Sequence, residues 1–292
     1  MRVWLTGLVC ALAVTTGAAR AAPVESSATA GKAPKVAYLS LIIDDLGQNP
    51  ERDSRALALP GPVTLAIMPD TPHATDFARQ AHKAGKTVML HMPMDPATGP
   101  YAWHPELPLP ELESRLNAAL LKVPYAAGIN NHMGSRMTAE PVAMGWLVGE
   151  LQRRHLFLVD SRTSAKTVAA AEAQKVGLAS VSRDVFLDDE RTAEAISGQL
   201  QTAIKLAHKQ GSAVMIGHPY PVTLDVLERE LASRDLLVGE LQSQVTAMKD
   251  ERTQLQRSHR ELEELLQSRA ARLVDLESEL EALKRIDMQR TP

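Results

Sequence analysis

Two adjacent carboxylates, Asp44 and Asp45, close the apolar run L-S-L-I-I-D-D-L-G that spans residues 39–47. Histidines stand in comparable settings further on: His91 in H-M-P-M, His132 in N-N-H-M-G-S and His218 in G-H-P-Y-P, each after a short apolar stretch. A carboxylate oxygen and two imidazole nitrogens aimed at one point suit zinc or a similar divalent ion. Three protein ligands leave positions for water and substrate, which is a catalytic rather than a structural arrangement. His91 and His132 are the best ligand candidates, with Asp45 as the third. Strand geometry sends neighbouring side chains to opposite faces, so Asp44 and Asp45 diverge unless a turn re-aims one of them. The competing assignment is that Asp45 caps a helix and Asp44 is merely solvated. Asp188 and Asp189 read as a solvated turn. His73, His82, His104, His155 and His208 fall in loops or helices and read as surface or packing residues.

Strands and helices must alternate to place these groups. Strand-like runs fall at 36–43, 63–68, 87–90, 126–129, 156–159, 178–186 and 213–216. Helical stretches fall at 50–58, 74–84, 111–122, 141–154, 165–175 and 192–210. Seven strands joined by helices imply a parallel sheet, because parallel neighbours need a crossover and a helix is the usual one. The polar residues follow strands one, three, four, five and seven. A closed or nearly closed barrel gathers those ends at one mouth and is therefore favoured over an open sheet. No G-x-G-x-x-G follows the first strand and no G-x-x-x-x-G-K-[ST] occurs, so nucleotide binding has no support. The net charge of −3, without a basic cluster, argues against a nucleic-acid surface.

The flanks differ from this core. Residues 1–21 read as an export signal: Arg2, an apolar run to Ala19, and a small-x-small cleavage site at 19–21. The run is short for a membrane span, so no stable span is expected after cleavage, and the mature protein is expected outside the cytoplasm. The single cysteine, Cys10, leaves with the signal, which excludes disulfides and cysteine nucleophiles. Residues 22–34 are rich in small residues and read as a linker. The domain occupies 35–230, and 231–286 carries a heptad repeat in which twelve of sixteen seam positions are apolar. One continuous helix of roughly 80 Å follows, at about 1.5 Å per residue. It needs a partner helix, from a second copy or another envelope protein, with Arg252, His259 and Arg269 setting register.

Six motifs in order, I-I-D-D-L-G, H-M-P-M-D-P, I-N-N-H-M-G-S, V-D-S-R-T, V-F-L-D-D and I-G-H-P-Y-P, resemble the divergent polysaccharide deacetylase family, relatives of NodB-type carbohydrate esterases. The resemblance implies a distorted (β/α) barrel, a divalent metal and hydrolysis of acetyl groups on an envelope polysaccharide or peptidoglycan. It implies Asp44 as general base, Asp45 as metal ligand and His218 as general acid. Asp160 and Arg162 would orient His218 or clamp the sugar, with a loop-capping role equally open for Asp160. Asn131 reads as a substrate contact or as a turn residue. A glycan-binding scaffold that recruits other proteins through the coiled coil is the alternative to an enzyme. Two departures from the family pattern stand out. Asp95 occupies the second histidine position of H-x-x-x-H, so the second imidazole must come from His132. The region after the His218 motif runs into the heptads, so a last strand is expected to be missing and the barrel open on one side.

Overall fold

A computed structural model describes residues 36–290; the expected signal and linker lie outside the described residues. The chain runs β1 (Tyr38–Leu46), α1 (Pro50–Ala58), β2 (Val63–Ile67), α2 (Ala74–Lys83), β3 (Thr87–Met94), α3 (Leu109–Lys122) and β4 (Ala126–Met133). It continues through α4 (Pro141–Arg153), β5 (Phe157–Asp160), α5 (Ala169–Val176), β6 (Ser180–Ser182), β7 (Val185–Phe186), α6 (Ala193–Gln210), β8 (Ser212–Gly217) and α7 (Pro221–Arg290). Local chemistry explains several boundaries. Asn49 caps α1 by accepting from the backbone N–H groups of Glu51 and Arg52, and Pro50 opens it at a position where no amide is needed. Gly177 and Gly211 end α5 and α6 in the left-handed conformation.

The strands form one parallel sheet in the order β6-β5-β4-β3-β2-β1-β8-β7. Its two edge strands are neighbours in sequence, separated only by Arg183 and Asp184. The expected single strand at 178–186 is thus split: its first half pairs with β5 and its second half with β8. Arg183 N–H donates to the Asp160 carbonyl and Asp184 N–H to the Val214 carbonyl, both at 2.9 Å. One extended segment therefore laces both edges of a curled, distorted barrel. As expected, no strand follows β8 among the described residues; β7 pairs along β8, and β6 and β7 remain the two unpaired ends of the strand order.

Strand alternation sorts the side chains into two buried sets. Leu41, Ile43, Leu65, Ile67, Val88, Leu90 and Ile129 pack outward under the helices. Ile42, Ala66, Met89, Val159, Val214 and Ile216 form a small interior cluster, completed by Phe157 and Phe186. Gly128 belongs to the inward set, and a Cβ there would collide with the Phe157 ring. Gly128→Ala is expected to lower stability by about 1–3 kcal/mol through overpacking, read as a reduced denaturation midpoint with an unchanged denaturant slope.

Helix α7 starts ten residues before the first heptad and runs 70 residues, roughly 105 Å at about 1.5 Å per residue. Its first turns pack on the barrel: Leu224, Val226 and Leu227 are buried, and Arg55 of α1 pairs with Asp225 and Glu228. Leu224, Leu227 and Leu231 lie on the same stripe as the heptad seam. Beyond them the seam is bare, with Val238, Met248, Leu262 and Leu283 between 50% and 68% exposed. No helix of the described residues is long and apolar enough to cross a membrane.

Candidate metal and acid–base site

Alternation also builds the site. Inward positions rise from the apolar interior to the C-terminal ends of the strands: Asp44 follows Ile42, His91 follows Met89, Asn130 and His132 follow Gly128, and His218 follows Ile216. His91 and His132 were expected just past their strands and lie within β3 and β4, opposite Asn130 and Pro93 of the facing strand. Asp45 should point outward. Instead the β1–β2 register slips between Ile43 and Leu46, and Asp45 takes a left-handed φ of 57°. This bulge re-aims the second carboxylate into the mouth beside the first. Gly47, at φ 102°, completes the turn; a side chain there would strike Thr71. Met133 and Arg162, at the ends of β4 and β5, also have positive φ, so left-handed residues gather at this face of the barrel.

Asp45 Oδ1 lies 2.9 Å from His132 Nδ1 and 3.3 Å from His91 Nε2, and the two nitrogens lie 3.1 Å apart. That oxygen is buried, yet no donor meets it with hydrogen-bond geometry. Three electron-pair donors thus converge on one point, the arrangement a divalent cation satisfies. His91 Nδ1 faces Asn130 Oδ1 at 2.8 Å, and Asn130 Nδ2 donates to both oxygens of Asp44, at 2.8 and 3.1 Å. Asn130 therefore holds His91 in the tautomer with Nε2 free, and orients Asp44 at the same time.

Burial lowers the proton affinity of His91, but the charges of Asp44 and Asp45 and the contacts to Asp45 and Asn130 outweigh it and push its pKa up to about 9. Burial would raise Asp45; the facing His132 and His91 reverse this and hold its carboxyl well below the usual range. Asp44 is 2% exposed, and burial raises its pKa despite His91, His218 and Asn130. His218 is lowered by burial but raised more by Asp188, Asp45 and Asp44.

Asp188 is the group that orients His218. It is buried rather than solvated: Oδ1 lies 2.9 Å from His218 Nδ1, while Oδ2 accepts from the His218 backbone N–H at 2.7 Å and from the Thr223 hydroxyl at 2.9 Å. His218 Nε2 is left facing the mouth, 3.9 Å from Asp45 Oδ2. The flanking rings of Phe186 and Tyr220 lie 5.6 and 5.5 Å from the imidazole.

Other sequence candidates sit differently. Asp160 accepts from Arg162 N–H and from the Thr167 hydroxyl, so its carboxylate is engaged within its own loop, not with His218. Asn131 accepts from Ser161 N–H and donates to the Met133 carbonyl, tying β4 to β5 on the outward face. Arg162 is exposed at the rim. Asp95 turns away from the mouth and pairs with His104 and Arg136; Arg136 also pairs with Glu106, so the convergence of Asp95, His104 and Glu106 already has its cation.

Against known proteins, the sequence model described as divergent polysaccharide deacetylase matches residues 41–238. YibQ of Escherichia coli K12 is 40% identical over 195 residues, 65% of this chain and 61% of YibQ. A Haemophilus influenzae KW20 protein is 38% identical over 208 residues, 69% of this chain and 74% of that protein. The match to YibQ thus spans about three fifths of its length. The crystal structure of ATU2773 from Agrobacterium tumefaciens C58 superposes with a TM-score of 0.65 at 21% identity, covering 70% of this chain and 87% of the other, a likeness of fold.

Proposed function

Because the chain belongs to the divergent polysaccharide deacetylase family, we propose that it removes acetyl groups from an envelope polysaccharide or peptidoglycan sugar, using a divalent ion, zinc, held by Asp45, His91 and His132. The observation that carries this reading is the buried, hydrogen-bond-free Asp45 Oδ1 facing two imidazole nitrogens. When bound there, the ion would acidify a water and polarise the acetyl carbonyl. The residues supply the proton traffic. Asp44 takes the proton of the attacking water, and its raised pKa makes it a better base than a solvated aspartate. His218, whose protonated form the Asp188 carboxylate favours, gives its Nε2 proton to the departing amine or hydroxyl as the bond to the acetyl carbon breaks. Acetate and the deacetylated sugar result. The sequence of residues 1–21 supports an exported protein.

Two measurements follow from the ligand set. At pH 7 the metal-free His91 carries a proton, since its pKa lies near 9. Ion uptake is then expected to expel about one proton per site, and affinity to climb as pH rises toward 9. Calorimetry in buffers of different ionisation enthalpy reads this directly; uptake without proton release contradicts it. Asn130→Ala frees the His91 ring and is expected to weaken ion binding about 10–100-fold, measured by competition with a chelator.

The deciding assay is acetate release from an N-acetylated oligosaccharide by the zinc-loaded protein. Release supports the enzyme. A loaded protein that binds the sugar but releases nothing leaves the scaffold reading, which the bare seam of α7 favours: a partner helix, from a second copy or another envelope protein, would cover it.

A further inference from the structure

Around the mouth, His218 lies in a stack whose two ends are positively charged. Arg183 covers the Phe186 ring at 4.1 Å, Phe186 lies parallel to His218, Tyr220 flanks it on the other ring contact, and Arg191 covers Tyr220 at 3.7 Å. Arg191 Nη2 also donates to the Tyr220 hydroxyl at 2.7 Å. Arg183 donates only to the carbonyls of Ser161 and Arg162, and Arg162 itself stands exposed on the same rim. Among the described residues, no carboxylate oxygen lies within 4.0 Å of any of these three guanidiniums. Asp189 is near enough to act on the charge of Arg183 but makes no ion pair with it, and Glu190 is exposed and contacts Thr192.

A guanidinium is costly to withdraw from water, and burial of Arg183 is met by carbonyls and a ring face rather than by a counter-charge. The guanidinium fork matches a carboxylate in two-point geometry. We propose that the mouth selects an acetylated saccharide that bears carboxylates on the sugars flanking the acetylated one, received by Arg183 and Arg162 at one end of the stack and by Arg191 at the other. This rests on the reading of the mouth as a sugar site. It adds that the substrate polymer is anionic, and that Phe186 and Tyr220 hold the charged rim in fixed relation to His218.

The test uses the full-length, zinc-loaded protein and two probes of equal length, one an oligomer of N-acetylglucosamine, the other alternating N-acetylglucosamine with glucuronate. Isothermal calorimetry is expected to show the glucuronate probe binding about tenfold or more tighter, as one or two charge-assisted contacts would give. The difference should shrink as salt rises. R183Q and R191Q are each expected to reduce the ratio of the two affinities, and the double variant to bring it near one. R191Q touches only the Tyr220 hydroxyl and ring, so it reads the charge even if R183Q disturbs the seam. Equal affinities in the wild type, a ratio unchanged in both variants, or failure of both probes to bind each overturn the proposal. Acetate is assayed in parallel. A charge preference without acetate release removes the hydrolase reading and leaves this one standing, whereas acetate release without a charge preference does the reverse.

Discussion

Alanine at Asp45 is expected to leave the purified protein without its divalent ion, where the wild type retains about one per chain. Asp45 Oδ1 is the only anionic atom of the three that converge, and the two imidazole nitrogens left behind, 3.1 Å apart, are neutral when ready to ligate. The loss should exceed the 10–100-fold cost of disturbing a ligand's outer partners. Asp45 sits at φ 57°, a conformation that asparagine also tolerates, so Asp45→Asn preserves the bulge while removing the charge. Both variants should lose the ion, while the metal-free Asp45→Asn protein should melt somewhat lower than wild type at neutral pH, because the charge that His132 and His91 favour is gone. Elemental analysis after zinc loading and desalting checks this; a variant that holds the ion as tightly as wild type removes Asp45 from the ligand set.

Asp44→Asn should behave in the opposite way, keeping the ion and losing turnover. Its side chain lies 3.6 Å from His91 Nε2 and is held by Asn130, so it borders the ligands without being needed to complete them. Removing a positioned base costs about 10²–10⁴-fold in rate, and acetate release should fall by that factor while zinc content stays near one per chain. Because burial raises the Asp44 pKa, the acidic limb of the wild-type rate profile should lie above the ordinary aspartate range, with activity lost as pH falls through it. A variant that releases acetate at the wild-type rate would reassign the base.

Much of this architecture is legible in the residues. The alternation of strands and helices, the boundaries of α1, and the heptads of α7 follow from local pattern and capping, which need no tertiary knowledge. The convergence of Asp45, His91 and His132 is legible too, because aspartate and histidine cluster where the apolar runs end. The bulge at Asp44–Asp45 is not: a register slip depends on the neighbouring strand, and a D-D pair gives no sign of it. The choice between Asn130 and Asn131 was available from alternation, since Asn130 shares the parity of His132 and Asn131 does not. Parity also separates Asp188, two residues beyond the inward Phe186, from the turn it was expected to join. The split of one expected strand between two sheet edges required knowing that both edges lie within reach of one short segment.

The pairing of β1 with β8 has a consequence for how the chain acquires its structure. Tyr38 is hydrogen-bonded alongside Ser212, so the first strand to leave the ribosome waits for nearly the last before both its edges are filled. Until then its backbone groups are open to the wrong neighbour. Such distant pairing slows folding and prolongs exposure of apolar strands. The acid pair, His91 and His132 lie on strands already joined to one another through β2, whereas His218, which follows β8, reaches them only in that final step.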